Sequence, residues 1–194
     1  MTSDARFASL VSLACHDLRT PLATVHGFAR TLRRIELTDP APRYVEMIEV
    51  ASQQLAELVD ELSLVARIEA GLFEPRLESV DSLGLARAAA AELEDGTVRV
   101  SGEGAPVSVE PDATRRALRQ LSRAARRHGG LESIELRVRG AELELGPITR
   151  TAGVVVTGEE LRELGAAAAA DLIRAVGGTL ELEGDLLRIV LPAG

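Results

Sequence analysis

The chain has 194 residues, 46% hydrophobic and 27% charged, which is typical of one or two small globular domains and not of a disordered chain. Its net charge of −8 argues against nucleic-acid binding, which uses a basic patch, so no nucleic-acid partner is expected. Only 2% of the residues are aromatic, so the core must be built from Leu, Val, Ile and Ala.

Cys15 is the only cysteine, so the chain forms no internal disulfide, and the Cys and His spacing of a metal site is absent. The first residues lack the features of a signal peptide, and no stretch of about 18 apolar residues is present. We therefore expect a cytoplasmic protein without membrane insertion that receives its signal from another protein.

The first third of the sequence predicts two long helices. Apolar or small residues recur in steps of three and four over residues 7–34 and again over 44–65, the second time as a heptad alternation. Residues 36–42 break the pattern, with Asp39 as a helix cap and Pro40 in the next first turn. Gly71 ends the second helix. A lone hairpin leaves apolar surface uncovered, so we expect a homodimer, a four-helix bundle made through residues 5–70.

The second half predicts an α/β sandwich in which helices cover one side of a mixed sheet. The expected helices lie at 80–93, 112–127 and 159–176, and the expected strands at 97–100, 107–109, 134–138, 143–145, 179–183 and 186–191. The chain thus divides into a helical domain, residues 1–75, and an α/β domain, residues 76–194.

His16 lies in the segment HDLRTPL, residues 16–22. It is two positions, about 200° of helix rotation, from the stripe residues Ala14 and Leu18, so its ring points into solvent. Thr20 follows one turn later on the same face, and the small residues Ser12 and Ala23 leave room for a partner. Pro21 lacks an N–H group, so the helix should bend there.

A neutral imidazole beside a carboxylate is suited to phosphoryl exchange. Asp17 can hydrogen-bond the second ring nitrogen or take its proton, and the Thr20 hydroxyl can hold a water or a phosphoryl oxygen. Geometry alone fits this chemistry and an ordinary polar residue on a wet helix face equally well. His26 and His128 are assigned no catalytic role.

Residues 16–22 resemble the H-box of the histidine kinase dimerisation and phosphoacceptor domain at every position, and LAELVDELSLVARIEAG at 55–71 resembles that family's second helix. The resemblance implies a dimeric four-helix bundle with His16 as phosphoacceptor and Asp17 as its acid/base partner. It implies that Thr20 helps water attack a phosphorylated response regulator. Ser12, Arg19 and Ala23 are the candidate residues for binding that partner.

The second half resembles the ATP-binding domain of the same kinases, in the phrases VSVEPDATRRALRQLSRAARRHGG and LIRAVGGTLELEGDLLRIVLPAG. The nucleotide motifs are eroded. Ala124 stands where the family has a magnesium-binding Asn, and alanine offers no oxygen. The region around Gly146 has one glycine and no adenine-reading Asp, and the phosphate loop is reduced to Gly165. We therefore expect a degenerate ATPase-like fold without bound ATP, magnesium or other cofactor.

Three functional hypotheses follow from this sequence. The leading one is a histidine phosphotransferase that exchanges a phosphoryl group between His16 and receiver-domain aspartates, with response regulators and an upstream kinase as partners. The second is an ATP-dependent sensor histidine kinase with an atypical nucleotide site. The third is a non-catalytic response-regulator-binding adaptor or phosphatase that uses Thr20 without taking phosphate.

Overall fold

The computed structural model describes residues 3–32 and 41–194, without the side chains of residues 3–10, 12, 13 and 15. The chain divides into two compact units, residues 1–63 and 64–194. The predicted domain boundary after residue 75 lies twelve residues later, beyond the end of the second helix.

Two long helices form the first part of the chain, α1 (Ser3–Leu32) and α2 (Ala41–Glu69). Both were predicted, although Pro42, which we placed in the break, belongs to the first turn of α2, where a missing N–H group costs nothing. The predicted cap Asp39 and Pro40 lie outside the described residues. Gly71, at φ +67°, stops the helix as predicted, and the amide of Leu72 returns to the carbonyl of Arg67 at 2.8 Å.

The helical hairpin keeps a substantial part of its apolar surface uncovered. Phe28 of α1 stacks on Tyr44 of α2 with ring centroids 5.3 Å apart, and Ala14 and Ala51 are buried. Large apolar side chains remain exposed on both helices: Leu22, Val45, Met47, Val50 and Val59. Exposed apolar surface of this kind is typical of a helix pair that packs against a further partner.

A five-stranded mixed sheet organises the second unit, in the order β2-β4-β5-β7-β6. Its strands are β2 (Val98–Gly104), β4 (Ile134–Gly140), β5 (Glu142–Gly146), β6 (Thr179–Glu183) and β7 (Leu186–Val190). Only β2 and β4 are parallel. A separate antiparallel pair joins β1 (Glu78–Asp81) to β3 (Pro106–Val109).

Helices α3 (Ser82–Ala91), α4 (Pro111–Gly129), α5 (Arg150–Val156) and α6 (Leu164–Ala175) complete the domain. Alternate strand residues such as Leu136, Leu143 and Ile189 point into one core with the buried faces of these helices. The large buried side chains are aliphatic, as the low aromatic content predicted. The predicted α/β sandwich is thus confirmed.

The opposite face of the sheet is charged. Arg188 on β7 bonds Glu142 on β5 through both carboxylate oxygens, at 2.7 and 2.8 Å, and Glu183 on β6 at 3.1 Å. The hydrogen bond from Arg188 is the largest cause of a lowered pKa of Glu142, and the positive charges of Arg188 and Arg139 lower that pKa further. A cavity of about 270 Å³ beside Arg99 and Arg137 also lies on this polar face.

Four elements differ from the prediction. β1 and α5 were not predicted, because ESVD and RTAGVVV are too short to show a periodic apolar pattern. α6 begins at Leu164 and not at residue 159, since residues 159–162 form bends and irregular backbone and Glu163 is extended. β1 occupies the first residues of the helix predicted at 80–93, and Asp81 caps α3 by accepting a bond from the amide of Gly84.

Candidate functional site

The His16 side chain lies on α1 with 74% of its surface exposed. Ala14, two positions earlier, is fully buried, and Leu18, two positions later, is half-buried. The helical period therefore separates the apolar stripe from the imidazole, as predicted. A partner can reach this ring without any rearrangement of the hairpin itself.

The Asp17 carboxylate contacts one nitrogen of the His16 ring. The distance from His16 Nδ1 to Asp17 Oδ1 is 3.1 Å, and Asp17 is only 24% exposed. A carboxylate at this position favours the proton on Nδ1, which donates to it, and leaves the lone pair on Nε2. In that tautomer Nε2 is the ring nitrogen with a free lone pair.

Thr20 is exposed on α1 one turn after His16. The carbonyl of Thr20 accepts a hydrogen bond from Thr24 Oγ1 at 3.1 Å. Pro21 is buried within the continuous helix α1 and leaves the carbonyl four residues earlier without its usual amide donor.

The proposed partner-binding residues border the same histidine. Arg19 and Ala23 are both exposed, while the side chain of Ser12 lies outside the described residues. His16, Asp17, Thr20, Arg19 and Ala23 therefore all belong to one short, accessible stretch of α1.

The residues that the sequence analysis matched to a nucleotide site lie in the α/β domain. Ala124 is fully buried on α4, which packs against both α5 and α6, and its methyl group supplies no oxygen ligand. Gly165 is buried in the first turn of α6, ahead of the buried run Ala166–Ala170. The amide of Ala167 already bonds the carbonyl of Glu163 at 3.2 Å.

Gly146 has a structural reason to be glycine that needs no ligand. A Cβ atom there would lie 2.5 Å from Leu186 Cδ2 and 3.0 Å from the carbonyl oxygen of Asp185. The next residue, Pro147, has no backbone N–H group. The N–H group of Ile148 donates to the carbonyl of Asp185 at 2.6 Å. This glycine allows the turn between β6 and β7 to approach β5.

One polar cluster in this region was missed by the sequence analysis. The carboxylate of Glu163, just before α6, lies 3.3 Å from Arg123 and 3.0 Å from His128, both on α4. We call these three side chains the Glu163 clasp. Residues 35 or more positions apart carry no pairing signal in a single sequence, and the helix predicted from residue 159 placed Glu163 within a regular helix.

Residues 3–32 and 41–194 contain neither a candidate metal site nor a candidate membrane-spanning helix. Within them no group of three or more His, Cys, Asp or Glu side chains is placed to hold a metal ion. Neither does any helix in this part of the chain combine the length and apolarity needed to cross a membrane.

Comparison with known proteins gives matches to both parts of the chain. Residues 8–71 match the His Kinase A (phospho-acceptor) domain family. Histidine protein kinase DivJ of Caulobacter vibrioides is 29% identical over 173 residues, which cover 83% of this chain and 28% of DivJ. Sensor histidine kinase TrcS of Mycobacterium tuberculosis is 39% identical over 72 residues, 36% of this chain and 14% of TrcS. The chain thus spans less than a third of either curated relative.

Among solved structures, the Acinetobacter baumannii histidine kinase AdeS superposes with a TM-score of 0.69 at 18% identity. The match covers 92% of this chain and 98% of the AdeS chain. This likeness shows a shared fold, a helical hairpin followed by an α/β sheet domain, and confirms the predicted fold class.

Proposed function

We propose that this chain, whose residues 8–71 match the His Kinase A (phospho-acceptor) domain family, is a two-component signalling protein of the histidine kinase family and acts as a histidine phosphotransferase. In this role His16 accepts a phosphoryl group from one receiver-domain aspartate and passes it to another. The observation that carries the proposal is the exposed His16 ring, held at Nδ1 by Asp17 so that Nε2 faces a partner.

The chemistry needs only the side chains of α1 and the incoming receiver. The Nε2 lone pair attacks phosphorus, a P–N bond forms, and the P–O bond to the receiver aspartate breaks with its electron pair leaving on that carboxylate. Asp17 stabilises the Nδ1 proton of the positively charged ring or takes it. Transfer onward is the same step in reverse, with a second receiver carboxylate as the attacking group.

The residues at the expected nucleotide site of the α/β domain favour an external phosphoryl donor. Where the related kinases are expected to ligate magnesium and cradle phosphates, this chain has the buried Ala124 and the buried alanine run of α6. A carboxylate, Glu163, lies at the start of α6, where its charge repels phosphate. We therefore propose that the domain is retained as a fold and does not supply ATP to His16.

We further propose that the working unit is a homodimer. HisKA domains in general dimerise and engage response regulators. In this chain the exposed apolar side chains of α1 and α2, including Leu22 and Val59, supply the surface that a second hairpin would cover.

Thr20 supports a second activity, dephosphorylation of the receiver. Its hydroxyl lies on an exposed part of α1 one turn from His16 and can orient a water toward the phosphorus of a docked aspartyl phosphate. Dephosphorylation does not need the His16 nucleophile. A single substitution should therefore remove one of the two activities and leave the other.

The experiment compares two phosphoryl donors. The full chain is incubated either with labelled ATP and magnesium or with a labelled phosphoreceiver, and label on the chain is followed with time. The proposal expects label from the receiver only. Labelling from ATP identifies an autokinase, whereas loss of phosphate from the receiver without labelling of the chain identifies a phosphatase.

A further inference from the structure

The threonines of α1 use their hydroxyl groups in two different ways. Thr24 Oγ1 donates to the carbonyl of Thr20 at 3.1 Å, and Thr31 Oγ1 donates to the carbonyl of Gly27 at 3.0 Å. The hydroxyl of Thr20 itself has no hydrogen-bond partner among the described residues. A helical threonine bonds a carbonyl of the preceding turn in one side-chain rotamer and leaves its hydroxyl open in the other. Thr20 therefore keeps its hydroxyl available to a water molecule.

Thr20 is also under a conformational constraint that the other two threonines do not share. It precedes Pro21, and contact with a proline ring disfavours the helical conformation of the residue before it. Thr20 is nevertheless helical, since α1 is continuous from Ser3 to Leu32. Pro21 is buried, and close packing around its ring limits relief of the contact by movement of the ring. The peptide group between Thr20 and Pro21 therefore needs a restraint to stay helical.

Thr24 supplies a restraint at this peptide group. The carbonyl that accepts the Thr24 hydroxyl belongs to the peptide group that joins Thr20 to Pro21. The orientation of that carbonyl defines the ψ angle of Thr20, which contact with the proline ring would move out of the helical range. The bond from Thr31 has the same form, but its acceptor Gly27 precedes Phe28 and carries no such constraint.

We propose that Thr24 is a positioning residue for dephosphorylation of the receiver, acting through the Thr20–Pro21 peptide group. The inference rests on the proposed function, in which the Thr20 hydroxyl orients the attacking water. In that reaction the water oxygen bonds phosphorus, and the P–O bond to the receiver aspartate breaks with its electron pair leaving on that carboxylate. The water proton passes to the inorganic phosphate that forms. Thr24 touches none of the reacting atoms and acts only on the backbone that carries Thr20.

Transfer to His16 depends less on this restraint. The Thr20 hydroxyl is attached to Cβ, so its position relative to a receiver docked further along α1 follows the backbone directly. The His16 imidazole lies beyond two rotatable bonds, so Nε2 can adjust toward phosphorus. Its contact at Nδ1 is with Asp17, the adjacent residue, which moves with it. Loss of the restraint should therefore lower dephosphorylation and leave transfer nearly unchanged.

The test uses the full chain with Thr24→Val, which keeps the branched shape and removes the hydroxyl. Thr31→Val is the matched control, because it removes the equivalent bond seven residues later. Thr24→Ser is the rescue variant, since it retains a hydroxyl. Dephosphorylation is measured as release of inorganic phosphate from a phosphorylated receiver, with His16→Gln in every chain so that only direct attack by water is observed. Transfer is measured as label on His16 in the same variants without that change.

We expect Thr24→Val to lower the kcat of dephosphorylation roughly three- to tenfold at unchanged KM, the factor that a lost hydrogen bond of ordinary strength represents. Its transfer rate should change by less than about twofold, and so should both activities of Thr31→Val. Thr24→Ser should restore the kcat of the wild type. Helix content should be equal in all variants, because valine and threonine have similar helix propensities.

An unchanged kcat of dephosphorylation in Thr24→Val, or an equal loss in Thr31→Val, overturns the inference. A parallel loss of transfer, or a defect that Thr24→Ser does not reverse, also contradicts it. Should Thr24→Val not fold, Thr24→Ala takes its place, since alanine also lacks the hydroxyl and favours a helix. Thr20→Ala separates the two claims. Full dephosphorylation by Thr20→Ala refutes the proposed role of Thr20, whereas loss of activity in Thr20→Ala with full activity in Thr24→Val refutes only the role of Thr24.

Discussion

Replacement of Leu22 by glutamate tests the proposed dimer with little effect on the single hairpin. Leu22 lies on the predicted apolar stripe of α1, yet 57% of its surface is exposed in one chain. Full burial of a leucine contributes about 1.5 to 3 kcal/mol, so covering the remaining surface contributes roughly 1 to 1.5 kcal/mol per copy. A two-fold dimer contains the residue twice, which makes roughly 2 to 3 kcal/mol and about a hundredfold in the dissociation constant. Desolvation of two carboxylates weakens the dimer further.

The assay is sedimentation equilibrium, or light scattering coupled to gel filtration, over a range of protein concentrations. Gln53→Glu is the control, since it introduces the same charge at an exposed position of α2. Helix content from circular dichroism should be equal in both variants, because glutamate is a good helix former. A Leu22→Glu protein that dimerises as tightly as the wild type refutes the reasoning that this surface is covered by a second hairpin.

The remaining predictions concern ligand, catalysis and pH. Millimolar ATP with magnesium should leave the melting temperature unchanged, and a rise of several degrees would reinstate the autokinase. Asp17→Asn should slow phosphoryl uptake by His16 by about 10²-fold in quenched-flow kinetics, because the acid/base group is lost; an unchanged rate removes Asp17 from the mechanism. Thr20→Ala should keep transfer and lower receiver dephosphorylation, and parallel loss of both contradicts separate roles. The lowered pKa of Glu142 means that its contribution to stability is present above about pH 4.5 and is lost as the pH falls through the folded value. Arg188→Gln should therefore raise the pKa of Glu142 in NMR titration, and an unshifted value excludes the ion pair as the cause.

The helices and strands could be predicted from sequence wherever a segment was long enough to contain several apolar repeats. The two long helices, the amphipathic α4 and the closing β6–β7 hairpin show this, because each buries one face and exposes the other. The exposure of His16 followed from the same period. β1 and α5 could not be predicted, since four and seven residues contain too few apolar repeats to distinguish an element from a loop.

The Glu163 clasp shows what a single sequence does not reveal. Arg123 and His128 precede Glu163 by 40 and 35 positions, and the packing of α4 against α6 brings the three side chains together. The sequence placed His128 at a helix end, where a cation suits the dipole, and that remains true of α4. The ion pair with Glu163 is a tertiary contact with no local signal.

The central claim is that His16 carries a phosphoryl group received from a receiver domain. The most direct measurement is transfer from a phosphorylated receiver to the wild-type chain in the absence of ATP, with acid-labile phosphate assigned to a residue by peptide mass spectrometry. We expect acid-labile phosphate on His16 in the wild type and none on the chain in His16→Gln. Acid-labile phosphate acquired by His16→Gln, or a wild-type chain that is labelled only when ATP is supplied, would contradict it.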